Sequence, residues 1–86
     1  MNTELIEKLI KEQNYCVDNI NIDYDIMDCE YRIEVILCTG NMERIMERIA
    51  FTKDYSDSSD SLFTFGSDLK TIGEIFQSLS KIEEDN

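Results

Sequence analysis

The chain has no histidine and no proline, only three glycines, and eight basic residues against 19 acidic ones. Lack of histidine removes the Ser/His and Cys/His nucleophile systems, because both need an imidazole to take the proton from the attacking group. The glycines stand isolated at 40, 66 and 73, which excludes the glycine-rich loops that cradle phosphates. Cys16, Cys29 and Cys38 form an odd set without a CxxC pair. A zinc site would need all three thiolates plus a carboxylate, at spacings that match no common framework. They read as reduced, partly buried thiols of a cytoplasmic protein. No basic segment followed by an apolar stretch marks a secretory signal, and no apolar run approaches the ~20 residues that span a bilayer.

What is present fits one domain, residues 1–86, with 42% hydrophobic residues for its core. A chain of this length buries roughly 60 to 65% of its unfolded surface, so its stability margin is on the order of a few kcal/mol. The net charge of −11 disfavours direct contact with nucleic acid or an anionic membrane and speeds encounter with a basic protein. Acidic composition alone also suits disorder, but the absence of proline and the regular apolar periodicities stand against it.

Leu5, Ile6, Leu9 and Ile10 form one stripe at helical spacing, with Thr3 as N-cap and Glu4–Lys8 and Glu7–Lys11 as i to i+4 pairs. From Asn14 the period becomes two: Tyr15, Val17, Ile20, Ile22 and Tyr24 read as a strand, followed by a turn over 25–28. Tyr31, Ile33, Val35 and Leu37 then alternate with Arg32, Glu34, Ile36 and Cys38, which predicts a central strand ended by Thr39, Gly40 and Asn41. Met42 to Tyr55 fits a helical face through Met42, Ile45, Met46 and Ile49, and a strand through Ile45, Ile49 and Phe51; the strand reading is preferred. A serine- and aspartate-rich turn is expected over 54–61 and a short strand over Leu62 to Phe65. A last helix carries Leu69, Ile72, Ile75, Phe76, Leu79 and Ile82, with Ser67 or Asp68 as N-cap, or a Thr71/Glu74 capping box, and a fraying tail over 83–86. The fold expected is α+β, a three- or four-stranded antiparallel sheet with N- and C-terminal helices packed on one face.

Little here can do covalent chemistry, and an enzyme is not expected. Asp23, Asp25, Asp28 and Glu30 are close enough in sequence for acid/base work, but with 19 acids such groupings arise by chance. Calcium loops of the EF-hand type fit poorly: a window from Asp23 has Met27 and Asp28 at its fifth and sixth positions, and one from Asp57 has Leu62 in place of the glycine. No metal and no cofactor are implied. Phe63, Phe65 and Phe76 lack the basic groove that a base-stacking platform needs, and read as core.

The distribution of acids is more telling. Residues 18–34 hold six carboxylates against Arg32, and 54–68 hold four against no base. Alternate strand residues such as Asp23 and Asp25 would project from one face about 6.7 Å apart, a spacing close to that of neighbouring phosphates. Such a row can engage Arg and Lys side chains built to hold a phosphate backbone, or simply solvate the surface. The candidate contact residues are Asp23, Tyr24, Asp25, Asp28, Glu30, Asp54, Tyr55, Asp57 and Asp60, with Tyr24 or Tyr55 as aromatic anchor.

The opening Met1-Asn2 with Leu5, Ile6 and Ile10, then Tyr15, Val17 and an Ile/Val-rich strand, resembles small acidic phage anti-CRISPR proteins of the DNA-mimic kind, inhibitors of type II-A effector nucleases in particular. The resemblance covers about the first 17 residues and the order of elements. It implies an N-terminal helix, a three-stranded antiparallel sheet, C-terminal helices and a partner whose basic nucleic-acid pocket is blocked. Where that family has a dense acidic run near its later helices, this chain has the sparser Asp54, Asp57, Asp60 and Asp68. The expectation is therefore a class of action, inhibition of a nucleic-acid-handling defence protein. An immunity- or antitoxin-like protein and a small homodimer joined through sheet edges are the rival readings.

Overall fold

The computed structural model describes residues 1–40 and 44–84. Its elements run α1 (Thr3–Glu12), β1 (Cys16–Asp25), β2 (Glu30–Gly40), β3 (Ile45–Ser56) and α2 (Ser59–Glu84). The strands form one antiparallel sheet in the order β1-β2-β3. This is the α+β arrangement expected, with three strands and a helix at each end of the chain.

β2 is the central strand and carries the most buried face. Ile33, Val35 and Leu37 are buried on one face, and the register sets Ile22 and Lys53 beside Ile33, Ile20 and Phe51 beside Val35, and Val17 and Ile49 beside Leu37. Onto that face α1 brings Ile6 and Leu9, and α2 brings Ile72 and Ile75. The helices leave the opposite sheet face open. A tilted aromatic series, Tyr24 on Tyr31 (4.7 Å), Tyr31 on Phe65 (5.2 Å) and Phe65 edge-on to Tyr55 (5.2 Å), continues the core towards the hairpin end.

The junctions are set by short side chains. Asn2, not Thr3, caps α1, its side chain accepting from the Leu5 N–H at 3.1 Å. Of the two predicted ion pairs on α1, Glu7–Lys11 forms at 3.2 Å. Asn14 adopts a left-handed conformation (φ 58°), which lets the Tyr15 N–H reach back to the Leu9 carbonyl and swings the chain into β1. The Tyr15 hydroxyl donates to Glu47 at 2.8 Å and ties this junction to β3. In the β1–β2 turn, Asp25 Oδ1 accepts from the Met27 and Asp28 N–H groups at 2.9 and 3.3 Å, an Asx-type closure.

Further expectations are corrected. Leu62 to Phe65 is not a strand, and the turn before it is confined to 57–58: β3 runs on to Ser56 and α2 starts at Ser59. Ser58 caps this helix, accepting from the Ser61 N–H, and its carbonyl accepts from Leu62; Ser67, Asp68 and Thr71 lie inside it. Phe63 is 79% exposed and Phe76 39%, so of the three phenylalanines only Phe65 packs as expected. Cys16 and Cys29 are exposed and Cys38 alone is partly buried. The strand preferred for 42–55 holds from Ile45 onward. Glu83 and Glu84 belong to α2, whereas Asn41, Met42, Asp85, Asn86 and the side chains of Ile45 and Ile82 lie outside the described residues.

Candidate functional site

The acidic residues singled out in β1 and β2 meet at one end of the molecule because of the register. Asp23 pairs with Arg32 and Arg32 with Asp54, while Asp25 pairs with Glu30 one step nearer the turn. All five lie on the open face, two positions or one strand apart. With Tyr24, Ile26 and Asp28 they line a depression of about 490 Å³ that opens to solvent. Five carboxylates thus face one guanidinium.

That guanidinium is committed. Arg32 Nε donates to Asp54 Oδ1 at 2.6 Å and Nη2 to Oδ2 at 3.4 Å, a two-point pairing of edge and central strands. The bond to Asp54 raises the Arg32 pKa further, with smaller contributions from Asp25 and Glu30, and the same bond holds the Asp54 carboxyl below its usual value. Asp23 and Asp28 are exposed and Glu30 is half-buried. Beyond Asp23 the open face continues with Glu34, which accepts from the Asn21 side-chain amide at 2.9 Å.

The other predicted contact residues separate. Asp57, in the β3–α2 connection, acts on the same end: its carboxylate adds to the rise in the Tyr24 pKa, which comes first from the hydrogen bond with the Cys29 thiol. Asp60, in the first turn of α2, lines a neighbouring depression with Lys53, Asp54 and Ser61. Tyr24 is 46% exposed and sits on the helix side of the sheet against Tyr31, where it can serve as an edge contact. Tyr55 is 3% exposed and cannot be an anchor. Its hydroxyl donates to Asp68, whose carboxylate also meets the Met1 ammonium at 3.3 Å. Burial first, then the hydrogen bond and charge of Asp68, push the Tyr55 pKa far up.

What the sequence reading missed is Glu34, which it counted in the acidic run and left out of the site. Its place two residues beyond Arg32 on an alternating strand was the available signal. Among the described residues no three Cys, Asp or Glu side chains converge as a metal ion requires, and the window from Asp57 lies mostly in α2. Among the residues that line the depression Arg32 is the only cationic side chain, against five carboxylates, which suits a cationic surface better than a small neutral molecule. Comparison with family models, curated proteins and solved structures finds no match for this chain.

Proposed function

We propose that the chain is an acidic inhibitor of the anti-defence kind, which seats its hairpin end on the basic nucleic-acid-binding surface of a partner protein and competes there with DNA or RNA. The observation that carries this reading is the row Asp23–Arg32–Asp54 flanked by Asp25 and Glu30, where a committed arginine leaves a one-sided field on an uncovered sheet face. Carboxylates one strand repeat apart, about 6.7 Å, offer Arg and Lys side chains acceptors at the pitch of successive phosphates. Asp57 extends the field, and the rim provides apolar contact through Ile26 and Met27, 79% and 91% exposed.

The test is affinity capture from bacterial lysate at low salt, with the wild type beside an Asp23→Asn/Asp25→Asn/Glu30→Gln variant. Asparagine at 25 keeps an acceptor for the turn, so the variant should fold. A nucleic-acid-binding protein retained by the wild type, released by salt and by a competing oligonucleotide and lost from the variant, is the expected result. Retention that stays flat from roughly 50 to 500 mM salt, or that survives neutralisation, overturns the reading.

A further inference from the structure

At the end of the open face away from the acidic hairpin, Cys16 and Cys38 are direct partners across the β1–β2 ladder. The neighbouring pair is Val17 with Leu37, and Leu37 is fully buried under the helices. Alternation therefore turns both cysteines to the uncovered face. Opposed residues in an antiparallel pair have Cα atoms ~4.5 or ~5.5 Å apart, depending on ladder position. Both separations fall inside the ~4.4–6.8 Å that a disulfide spans. Cys16 is exposed and Cys38 partly so, which leaves the pair open to a small reagent. Cys29 lies in the β1–β2 turn at the opposite end of the hairpin, about 30 Å away by strand rise, with its thiol on the Ile26 carbonyl at 3.7 Å.

We propose that Cys16 and Cys38 are a reversible cross-strand dithiol–disulfide couple whose oxidant is a low-molecular-weight disulfide of the glutathione class. The Cys16 thiolate, the more exposed, attacks one sulfur of the reagent, forms a mixed disulfide and expels the first thiolate. The Cys38 thiolate then attacks the Cys16 sulfur and expels the second. Two protein thiols lose two electrons and two protons, and the reagent becomes two thiols. The new bond ties the first residue of β1 to the central strand beside the Asn14–Tyr15 junction, so it fastens the point where α1 enters the sheet. Exposed disulfides are the readily reduced ones, which makes the couple a switch and not a permanent staple.

The full chain is equilibrated with mixtures of oxidised and reduced glutathione, alkylated, and read by intact mass and peptide mapping. The expected product is a monomer that takes up one alkyl group, on Cys29, where the fully reduced chain takes up three, with Cys16 joined to Cys38 at the loss of two hydrogens. The internal bond persists in Cys29→Ser, is absent from Cys16→Ser and Cys38→Ser, and raises the urea midpoint until a reductant restores it. Stable glutathione adducts on Cys16, disulfide-linked dimers in place of the internal bond, or an internal bond that uses Cys29 would each overturn the proposal.

Discussion

Two side chains carry most of what single residues decide, and they lie on adjacent positions of β3. Tyr55 points into the core and Asp54 out of it, as strand alternation demands. Tyr55→Phe keeps the ring against Phe65 but removes the bond to Asp68; equilibrium urea unfolding should show a loss of about 1.5–3 kcal/mol, the range for a hydrogen bond to a charged group. The pH dependence has a definite sign. The folded Tyr55 pKa lies above that of the unfolded chain, so the unfolded state gives up its proton first and stability falls as pH rises past ~10. Tyr55→Phe should flatten that alkaline decline, leaving the smaller parts due to Tyr15 and Tyr24, whose pKa values are also raised. On the open face, Arg32→Gln separates structure from recognition. The pair with Asp54 is surface-exposed, so its loss should cost only about 0–1 kcal/mol. Binding to a cationic partner should strengthen, because the one opposing charge is gone and Asp54 is released. Weaker binding would mean that Arg32 itself makes contact.

The elements were legible wherever one period ran without competition. In β2 every second residue from Tyr31 to Leu37 is large and apolar, and the burial alternates with it. Leu62 to Phe65 fits both periods: it alternates, and it also begins the stripe Leu62, Phe65, Leu69, Ile72, Phe76 at three- and four-residue steps. Two things favour the helix. The Ser56 hydroxyl bonds to those of Ser58 and Ser61, and the Ser61 N–H donates to the Ser58 hydroxyl in the first turn of the helix, and Phe65 in helical phase reaches both Tyr31 and Tyr55. Gly66, which reads as a strand boundary, is then an interior helix position. A Cβ added at Gly66 or Gly73 would meet nothing within 4 Å. Each Gly→Ala replacement should therefore stabilise the protein by roughly 0.5–1 kcal/mol in urea titrations. A strand or break at 66 would give a loss instead. Ser58→Ala should cost about 1 kcal/mol as a true N-cap, and Ser67→Ala next to nothing.

The whole molecule is a plate of one sheet and one helical layer, with extents of 42 × 28 × 17 Å. Its surface of 6296 Å² exceeds the ~5,300 Å² expected for its mass, and its radius of gyration of 14.5 Å exceeds the ~12 Å of a compact chain of this length. Two acidic runs were visible in the sequence, but their convergence depends on which residue of one strand faces which of the next, and composition does not encode that register. Asp57 and Asp60 show the converse, neighbours in sequence that part where β3 ends and α2 begins. The convergence has a cost that can be measured. Two carboxylates ~6.7 Å apart repel by about 0.6 kcal/mol in water, and by less than half of that at 0.15 M salt. Summed over the carboxylates around Asp23, Asp25, Glu30 and Asp54, with one attraction from Arg32 already counted in the pair, the strain is on the order of 1 kcal/mol. Raising sodium chloride from about 10 to 500 mM should therefore increase folding stability by roughly that amount. The Asp23→Asn/Asp25→Asn/Glu30→Gln variant should start more stable and gain less. Salt thus acts in opposite directions on folding and on the proposed association, because one cluster of like charges opposes the first and drives the second. If the variant kept the full salt gain, the repulsion would be spread over the remaining acids and the hairpin end would hold no special concentration of charge.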